Sequence, residues 1–391
     1  MTGQLKVVSE AVARFFGFSF GSPMTPTGKS PERINLAGIE DRRDVVHRAV
    51  ACLARGGLVA LPSGSGMILA ASALHPEAIH RLLALKAASP EANICLGARS
   101  PDEIEDWLPE ASRPARKLAL RAWPGPVTLI LHGSIEDGLA RRLAPGVRAI
   151  VAPDSSIALR RPSHATIRQV LDLVSGPLVL ADAADSSLDQ PSLDMCIDDG
   201  PEIMNVQDTI VAIEGNAWRV TREGAISASA LKRMAGTFVL FVCTGNTCRS
   251  PMAEAICRVV LAEKIGCKPE DVEDRGIVVA SAGLAASRGG RAAADAIEVV
   301  QSRGASLRAH TSQQVGPDMI SGADFIIAMT RDHRDALLDE FPEAEDRIRL
   351  LHPRGGDVDD PIGCDRETYR RTAHAIESHI KAMLDDILSA G

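Results

Sequence analysis

The chain has 391 residues, of which 45% are hydrophobic and 24% charged. This composition excludes collagen-like chains, wholesale disorder and membrane bundles, and the length favours two or three domains. Residues 1–236 carry 25 basic and 26 acidic groups, and residues 237–391 carry 18 and 25, within a total net charge of −8. Neither half has a basic excess, so bulk electrostatics give no support for tight nucleic-acid binding.

Cysteine content and hydropathy predict where the protein works. Eight cysteines in 391 residues are too few for a disulfide scaffold. The N-terminus lacks the apolar core of a signal peptide, and no run of about 18 apolar residues occurs. We therefore expect a cytoplasmic, thiol-reducing location and no membrane association.

The first half begins with a predicted flexible tail, residues 1–31, because Gly21–Pro31 is rich in Gly, Pro, Ser and Thr. Residues 32–230 alternate short apolar runs with helical patterns, which predicts a mixed α/β domain. The expected strands are Leu58–Leu61, Val127–Leu131, Pro177–Leu180 and Thr209–Ile213, and the expected helices are Val45–Ala54 and Ile79–Leu85.

The second half follows a predicted linker, residues 231–236, and occupies residues 237–391. Strands that alternate with helices at this spacing indicate a parallel sheet with right-handed crossovers. The expected strands are Phe238–Cys243, Ile277–Ala280 and Phe325–Ala328, and the expected helices are Ser250–Lys264, Ala292–Arg303, Asp332–Glu340 and Glu367–Leu388.

The segment Val242–Pro251, V-C-T-G-N-T-C-R-S-P, carries the clearest chemical signal. Five residues separate Cys243 from Arg249, between a strand pattern and a helical pattern. In such a strand–loop–helix the loop N–H groups converge, and the helix N-terminus adds positive potential. A dianionic phosphate fits there, and the same field favours the thiolate form of Cys243. Arg249 would present a planar fork to two phosphoryl oxygens.

The alternative for Cys243 is a buried core cysteine at a strand end, which is the commoner fate of cysteine. A Cys-x5-Arg spacing by itself occurs by chance. The ten-residue string in its strand–loop–helix context is far less common, and Gly245 allows close backbone approach or a positive φ. We therefore favour the anion-binding loop.

The string VCTGNTCRSPMAEA resembles the phosphate loop of the low-molecular-weight protein tyrosine phosphatase family, and the resemblance covers residues 237–391. It implies a parallel four-stranded sheet flanked by helices, and a hydrolase without metal or cofactor. It implies Cys243 as the nucleophile, through a phosphocysteine, and Arg249 as the phosphate-binding and transition-state-stabilising residue. Asp360, in an Asp-Pro pair, would be the general acid and then the general base.

The resemblance assigns the remaining loop residues to substrate binding: Thr244, Gly245, Asn246, Thr247, Cys248 and Ser250. Ser250 would hydrogen-bond the thiolate, and Asn246 would hold the loop through a network that includes Ser281. Cys248 would form a reversible disulfide with Cys243 that protects the nucleophile from over-oxidation, with a small loop filler as the alternative.

Two further residues need a choice between roles. Asp-Pro pairs commonly start turns, so Asp360 could lie in a solvated acidic loop with Asp357 and Asp359. Its place before the last helix favours the acid role, and Asp357 and Asp359 are the other candidates. His310 is expected to satisfy a loop hydrogen bond rather than take part in the chemistry.

Substrate preference stays open between two phosphorylated side chains. Phosphotyrosine is the family default, with a phosphorylated protein as the partner. Thr247 stands where many tyrosine-specific members carry a bulky aliphatic residue, and similar members with Thr are protein-arginine phosphatases. Ile362-Gly363 stands where tyrosine-specific members place stacking aromatics, which contribute about 0.5–1.5 kcal/mol each beyond area burial. Phosphoarginine is therefore the alternative.

Arsenate reduction, which also occurs on this fold, would need two further redox cysteines between the phosphate loop and the Asp360-Pro361 pair. It is disfavoured because, after Cys267, the next cysteine is Cys364, which lies beyond that pair.

The first half resembles the YrdC-like threonylcarbamoyl-AMP synthases over residues 35–230. The resemblance rests on strings such as Trp123–Leu131 (WPGPVTLIL) and Arg222–Ile226 (REGAI). The ligand-binding strings differ, with Asp182 and Asp208 where the family carries serines. Each would repel a triphosphate by about 4 kcal/mol at about 4 Å and an effective dielectric constant near 20.

We therefore expect a degenerate YrdC-like domain with a binding or regulatory role. Retained threonylcarbamoyl-AMP synthesis is the alternative. Double-stranded RNA binding, which the resemblance also implies, would be weak because this half is nearly neutral. The sequence does not predict the oligomeric state.

Overall fold

The computed structural model describes residues 30–86, 94–200 and 206–389. Residues 1–29 of the predicted tail lie outside these ranges, and the first described strand begins at Glu32. The described chain forms a mixed sheet of ten strands and a parallel sheet of four, each covered by helices on both faces. The predicted α/β fold class, with its four-stranded parallel sheet, is confirmed.

The first sheet is built entirely from residues 32–222. Its strands are β1 (Glu32–Asn35), β2 (Val59–Pro62), β3 (Met67–Ser72), β4 (Ile94–Gly97), β5 (Val127–His132), β6 (Ser156–Arg160), β7 (Leu178–Asp182), β8 (Met195–Asp198), β9 (Thr209–Glu214) and β10 (Ala217–Arg222). Their order is β1-β8-β2-β3-β7-β4-β6-β5-β9-β10. Parallel and antiparallel pairs alternate irregularly across it.

Helices cover both sheets. The described helices are α1 (Arg42–Ala54), α2 (Pro76–Lys86), α3 (Glu103–Trp107), α4 (Arg113–Ala122), α5 (Pro145–Val151), α6 (Ala165–Leu173), α7 (Ala228–Ala235), α8 (Arg249–Ile265), α9 (Ala294–Gln301), α10 (Pro317–Gly322), α11 (Arg331–Glu340) and α12 (Arg366–Ser389). Within the described ranges, none is both long enough and apolar enough to cross a membrane.

The second sheet places Cys243 at its centre. Its strands are β11 (Thr237–Cys243), β12 (Ile277–Gly283), β13 (Phe325–Ala328) and β14 (Ile348–Leu350), in the order β12-β11-β13-β14. All three pairings are parallel, so the carboxyl ends of the strands share one edge. Cys243 is paired with Gly283 at that edge.

Side-chain alternation along β11 decides which face Cys243 takes. Val239, Phe241 and Cys243 are buried in the cluster that includes α8 and α12. Leu240 and Val242 point to the opposite face, in the cluster that includes α10 and α11. This period of two is the strand pattern, and both faces are apolar because both are covered. The nucleophile candidate therefore projects toward the start of α8.

The predicted strands and helices of both halves are present, with ends shifted by a few residues. The conformation expected for the linker at 231–236 is corrected, because residues 231–235 lie in α7. Ser227 caps α7 by accepting a hydrogen bond from the Ala230 N–H. Leu231 is fully buried in the core of the first half, which explains why the stretch is helical.

Asp324, just before β13, joins the two halves. It faces two cations of α4: Lys117 Nζ lies 3.2 Å from Oδ1 and Arg121 Nη2 lies 2.9 Å from Oδ2. The three side chains are only 8%, 14% and 12% exposed for Lys117, Arg121 and Asp324. Burial lowers the pKa of Lys117 to about 8, with Asp324 acting in the opposite direction. The Phe238 N–H, in β11, also donates to Asp324 Oδ2.

We predict that Asp324→Asn destabilises the protein. The asparagine keeps an acceptor for Phe238 but removes the negative charge that faces Lys117 and Arg121. Breaking a buried pair typically costs about 3–5 kcal/mol in the free energy of unfolding. Thermal or urea unfolding of the full chain measures it.

The matched control is Asp346→Asn. Asp346 is 85% exposed and lies 3.9 Å from Arg347, so we expect a change within about 0.5 kcal/mol. Equal unfolding free energies for the two variants would contradict a stabilising role for the Asp324 cluster.

Candidate active site

The Cys243 loop, residues 243–250, connects the end of β11 to the first turn of α8. The Cys243 side chain is almost fully buried, and its Sγ lies 3.0 Å from Ser250 Oγ. The Ser250 hydroxyl also lies 3.2 Å from the Ala282 carbonyl. It has one proton, which it can donate either to Cys243 Sγ or to that carbonyl. The predicted contact between Ser250 and the sulfur is present.

Asn246 holds the loop in a left-handed turn. Its φ is +53°, a conformation that asparagine tolerates better than most residues. Its Nδ2 donates to Ser250 Oγ at 3.0 Å and to Ser281 Oγ at 2.9 Å. Its Oδ1 accepts from the Gln313 N–H at 3.0 Å. The predicted network of Asn246 with Ser281 is present, so each polar atom of this buried amide has a partner.

His310 makes a hydrogen bond to the Cys243 loop, as the sequence analysis expected. Its Nε2 lies 2.9 Å from the Asn246 carbonyl oxygen, on the outer side of the loop. An imidazole N–H donated to this carbonyl satisfies a backbone acceptor in the turn. His310 therefore supports the loop.

Arg249 closes the loop from the side of α8. Its side chain is 8% exposed, and Nη2 donates to Asp360 Oδ2 at 2.6 Å. Its Nη1 donates to the Val358 carbonyl at 3.3 Å. The structure thus brings Cys243, Arg249 and Asp360 to one edge of the sheet, although 111 residues separate the last two.

The three aspartates of residues 357–360 have different partners. Asp357 accepts from the Arg331 N–H at 2.8 Å and pairs with its guanidinium at 3.0 Å. These bonds lower the pKa of Asp357. Asp360 instead accepts a hydrogen bond from the guanidinium of Arg249. Asp360, which the sequence favoured over Asp357 and Asp359, is thus the carboxylate that contacts Arg249.

Cys248 lies at the far end of the loop and contacts Tyr369 of α12. Its Sγ lies 3.2 Å from the Tyr369 hydroxyl, and both residues are buried. Burial, and then the bond to Cys248, raise the pKa of Tyr369. Thr247 Oγ1 lies 3.7 Å from the same sulfur. The one tyrosine of the chain therefore packs beneath the loop, a contact that the sequence analysis missed because nothing local links residues 248 and 369.

The first half contains a second charged cluster, around Arg160. Its Nη1 donates to Asp182 Oδ1 at 2.7 Å, and its Nε lies 2.6 Å from Asp208 Oδ2. Ser65 Oγ donates to Asp208 Oδ1 at 2.7 Å. Burial raises the pKa of Asp208, and Arg160 opposes that shift. The two aspartates that depart from the YrdC-like pattern therefore neutralise a buried arginine.

Known proteins match each half separately. Residues 238–390 match the family model described as "Low molecular weight phosphotyrosine protein phosphatase". Residues 51–224 match the Sua5/YciO/YrdC model, described as "Telomere recombination".

Curated relatives divide in the same way. A protein-arginine-phosphatase of Geobacillus stearothermophilus is 35% identical over 38% of this chain and 95% of its own length. A probable low molecular weight protein-tyrosine-phosphatase of Ralstonia solanacearum is 29% identical over 39% of this chain and 97% of its length. A threonylcarbamoyl-AMP synthase of Chromohalobacter salexigens is 32% identical over 37% of this chain and 74% of its length. The chain therefore belongs to the low molecular weight phosphotyrosine protein phosphatase family in its second half and to the Sua5/YciO/YrdC family in its first.

Proposed function

We propose that the second half is a protein phosphatase that works through a phosphocysteine on Cys243 and prefers phosphoarginine. The observation that carries the phosphatase role is the junction of β11 and α8. There a buried thiol meets the Ser250 hydroxyl, and the Arg249 guanidinium lies at the same sheet edge. A helix N-terminus at this point favours a bound anion. The roles of the individual residues below are parts of this proposal.

In the first step Cys243 Sγ attacks phosphorus. An S–P bond forms and the bond from phosphorus to the leaving nitrogen or oxygen breaks. Asp360 gives its proton to the leaving atom. Arg249 holds two equatorial oxygens, and the loop N–H groups of residues 244–248 hold the developing charge. Since Arg249 binds Asp360 at 2.6 Å, an incoming phosphoryl group competes for the same guanidinium.

In the second step water attacks the phosphocysteine. Asp360, now a carboxylate, takes a proton from water, the S–P bond breaks, and Cys243 leaves as a thiolate. The Ser250 hydroxyl, 3.0 Å from Sγ, stabilises that thiolate by hydrogen bonding. Inorganic phosphate is released and the enzyme returns to its starting state without an external reductant or metal ion.

The preference for phosphoarginine follows from the rim of the site. The Asp360 loop continues with Ile362, which is 64% exposed and has no ring to stack on a phenol. Tyr369 is buried beneath the loop against Cys248. The Thr247 hydroxyl can accept a hydrogen bond from a guanidinium. The Geobacillus relative, which is named a protein-arginine-phosphatase, supports the same choice.

Phosphotyrosine is the second candidate. The family description and the Ralstonia relative name tyrosine as the substrate residue. The loop chemistry is the same for either leaving group, so only the rim distinguishes them.

The role of Cys248 in the chemistry is also part of the proposal. A peroxide would accept two electrons and two protons from the Cys243 and Cys248 thiols, leaving a disulfide that a small-molecule thiol would reduce back to both thiols. Such pairing would require Cys248 to leave its contact with Tyr369. The described cysteines are all unpaired, which fits a reducing compartment, and we propose the cytoplasm.

For the first half we propose a degenerate YrdC-like domain. Arg160 is bound by Asp182 and Asp208, so the charge that would attract a triphosphate is already neutralised. Binding of double-stranded RNA or retained threonylcarbamoyl-AMP synthesis is the alternative, and the near-neutral charge of residues 1–236 makes the RNA contact weak.

We predict that Cys243→Ser lowers kcat for p-nitrophenyl phosphate by at least about 10³-fold, because the thiolate is the nucleophile. Calorimetry should still detect inorganic phosphate binding to this variant, because the loop N–H groups and Arg249 remain. The control is Cys267→Ser, at a partly exposed cysteine outside the loop. Turnover by Cys243→Ser at the wild-type rate would overturn the proposed function.

We predict that Asp360→Asn lowers kcat by about 10²–10⁴-fold, the usual contribution of a general acid–base group. The loss should be larger for phenyl phosphate than for p-nitrophenyl phosphate, because the poorer leaving group needs the proton more. Steady-state kinetics on both substrates measures it.

Asp357→Asn is the matched variant, since Asp357 binds Arg331 instead of Arg249. We expect its kcat within about threefold of wild type, as for a surface ion pair. Equal losses for the two variants, with no dependence on the leaving group, would remove Asp360 from the mechanism.

Substrate choice is tested on phosphoarginine and phosphotyrosine peptides of the same sequence. We predict that wild type has the higher kcat/KM on phosphoarginine, and that Thr247→Ile lowers this ratio by about tenfold, because the isoleucine cannot accept a guanidinium hydrogen bond. Thr247→Ser, which keeps the hydroxyl, is the control. An unchanged ratio in Thr247→Ile would show that Thr247 does not determine specificity.

A further inference from the structure

His333 lies behind the Cys243 loop and was not among the residues that the sequence pointed to. It is the third residue of α11 and is only 5% exposed. Its Nε2 lies 2.8 Å from Thr244 Oγ1, and its Nδ1 lies 2.7 Å from Thr330 Oγ1. Thr330 also caps α11 by accepting from the His333 N–H at 3.3 Å. The imidazole therefore bridges the N-cap of α11 and the first loop residue after Cys243.

Thr244 is held from the opposite side by β12. Its carbonyl oxygen accepts from the Ala285 N–H at 2.9 Å. A Cβ at Gly283 would lie 2.5 Å from that carbonyl, so the approach needs glycine. The Thr244 backbone is thus packed against the end of β12, while its side chain is bound by α11. A side chain at Gly283 would block the turn, so the backbone support cannot be tested by substitution. The hydrogen bond between His333 and the Thr244 hydroxyl can be removed without this clash.

The charges around His333 favour a neutral ring. Burial, and then Arg249, lower the pKa of His333, while Asp332 on its own helix and Asp360 and Asp357 on the neighbouring loop act in the opposite direction. The N-terminus of α11 adds positive potential at the same place. A neutral imidazole has one N–H and one lone pair, so it can donate to one threonine and accept from the other.

We propose that His333 is a positioning residue for the Cys243 loop, which it fixes through the Thr244 hydroxyl so that the loop binds the phosphoryl group. This inference rests on the proposed phosphatase function. His333 contacts the loop and not the reacting atoms, so it acts on phosphate affinity rather than on proton transfer. Without the hydrogen bond to His333, the Thr244 side chain is no longer held. Phosphate binding must then also order Thr244, which lowers the affinity for phosphate.

The test measures inorganic phosphate binding by calorimetry on a Cys243→Ser background, where no turnover interferes. His333→Ala and Thr244→Val should each raise the phosphate Kd about fivefold, the equivalent of one ordinary hydrogen bond. The double variant should be no weaker than either single variant, because both remove the same bridge. His333→Gln, whose amide can reach Thr244, should recover part of the affinity.

In the active enzyme the same substitutions should raise KM for p-nitrophenyl phosphate by a similar factor and lower kcat less. His374→Ala, at an exposed position on α12, is the matched control and should leave Kd unchanged. An unchanged phosphate Kd in Thr244→Val, or losses that multiply in the double variant, would overturn the proposal. Absence of phosphate binding by the Cys243→Ser parent would instead overturn the proposed function itself.

Discussion

A buried sulfur and a buried guanidinium both lie at the sheet edge where β11 ends and α8 begins, and side chains from several elements of the second half hold that junction. The chain turns from strand to helix within a few residues, which requires a positive φ at Asn246 and a close approach at Gly283. Both are locally unfavourable for ordinary residues. They persist because the Asn246 amide is bonded to Ser250 and Ser281 on neighbouring elements.

The two halves use buried arginine in opposite ways. In the second half Arg249 has a partner, Asp360, that is 41% exposed, and we propose that a phosphoryl group can take its place. In the first half Arg160 pairs with Asp208, which is only 2% exposed. Removing a deeply buried partner leaves an uncompensated charge, so exchange there is costly. The exposure of the aspartate partner therefore distinguishes the two arginines. Arg249, with a partly exposed partner, is the one we propose to bind anions, whereas Arg160, with a buried partner, stabilises the first domain.

The sequence predicted the fold class, the strand Phe238–Cys243 and the loop that follows it, because a continuous apolar strand and a glycine-containing turn are local patterns. On the strength of a resemblance, it placed Asn246 in one network with Ser281 and placed Ser250 against the sulfur of Cys243. It could not find His333 or Tyr369, whose contacts join residues 89 and 121 positions apart. It favoured Asp360 as the acid but kept Asp357 and Asp359 as candidates, since only the folded chain shows which carboxylate faces Arg249. The helix at residues 228–235 was missed because its short polar sequence hides a single buried leucine.

The central claim is that Cys243 carries the phosphoryl group between the two steps. Rapid acid quenching of the full-length protein during turnover of p-nitrophenyl phosphate, followed by peptide mass spectrometry, tests it most directly. The account predicts one added phosphoryl group on the peptide that contains Cys243, and none on the same peptide from Cys243→Ala, which has no nucleophile at this position. A phosphoryl group found on a different residue, or a Cys243 peptide that stays unmodified in both the wild type and Asp360→Asn while each turns over substrate, would contradict it.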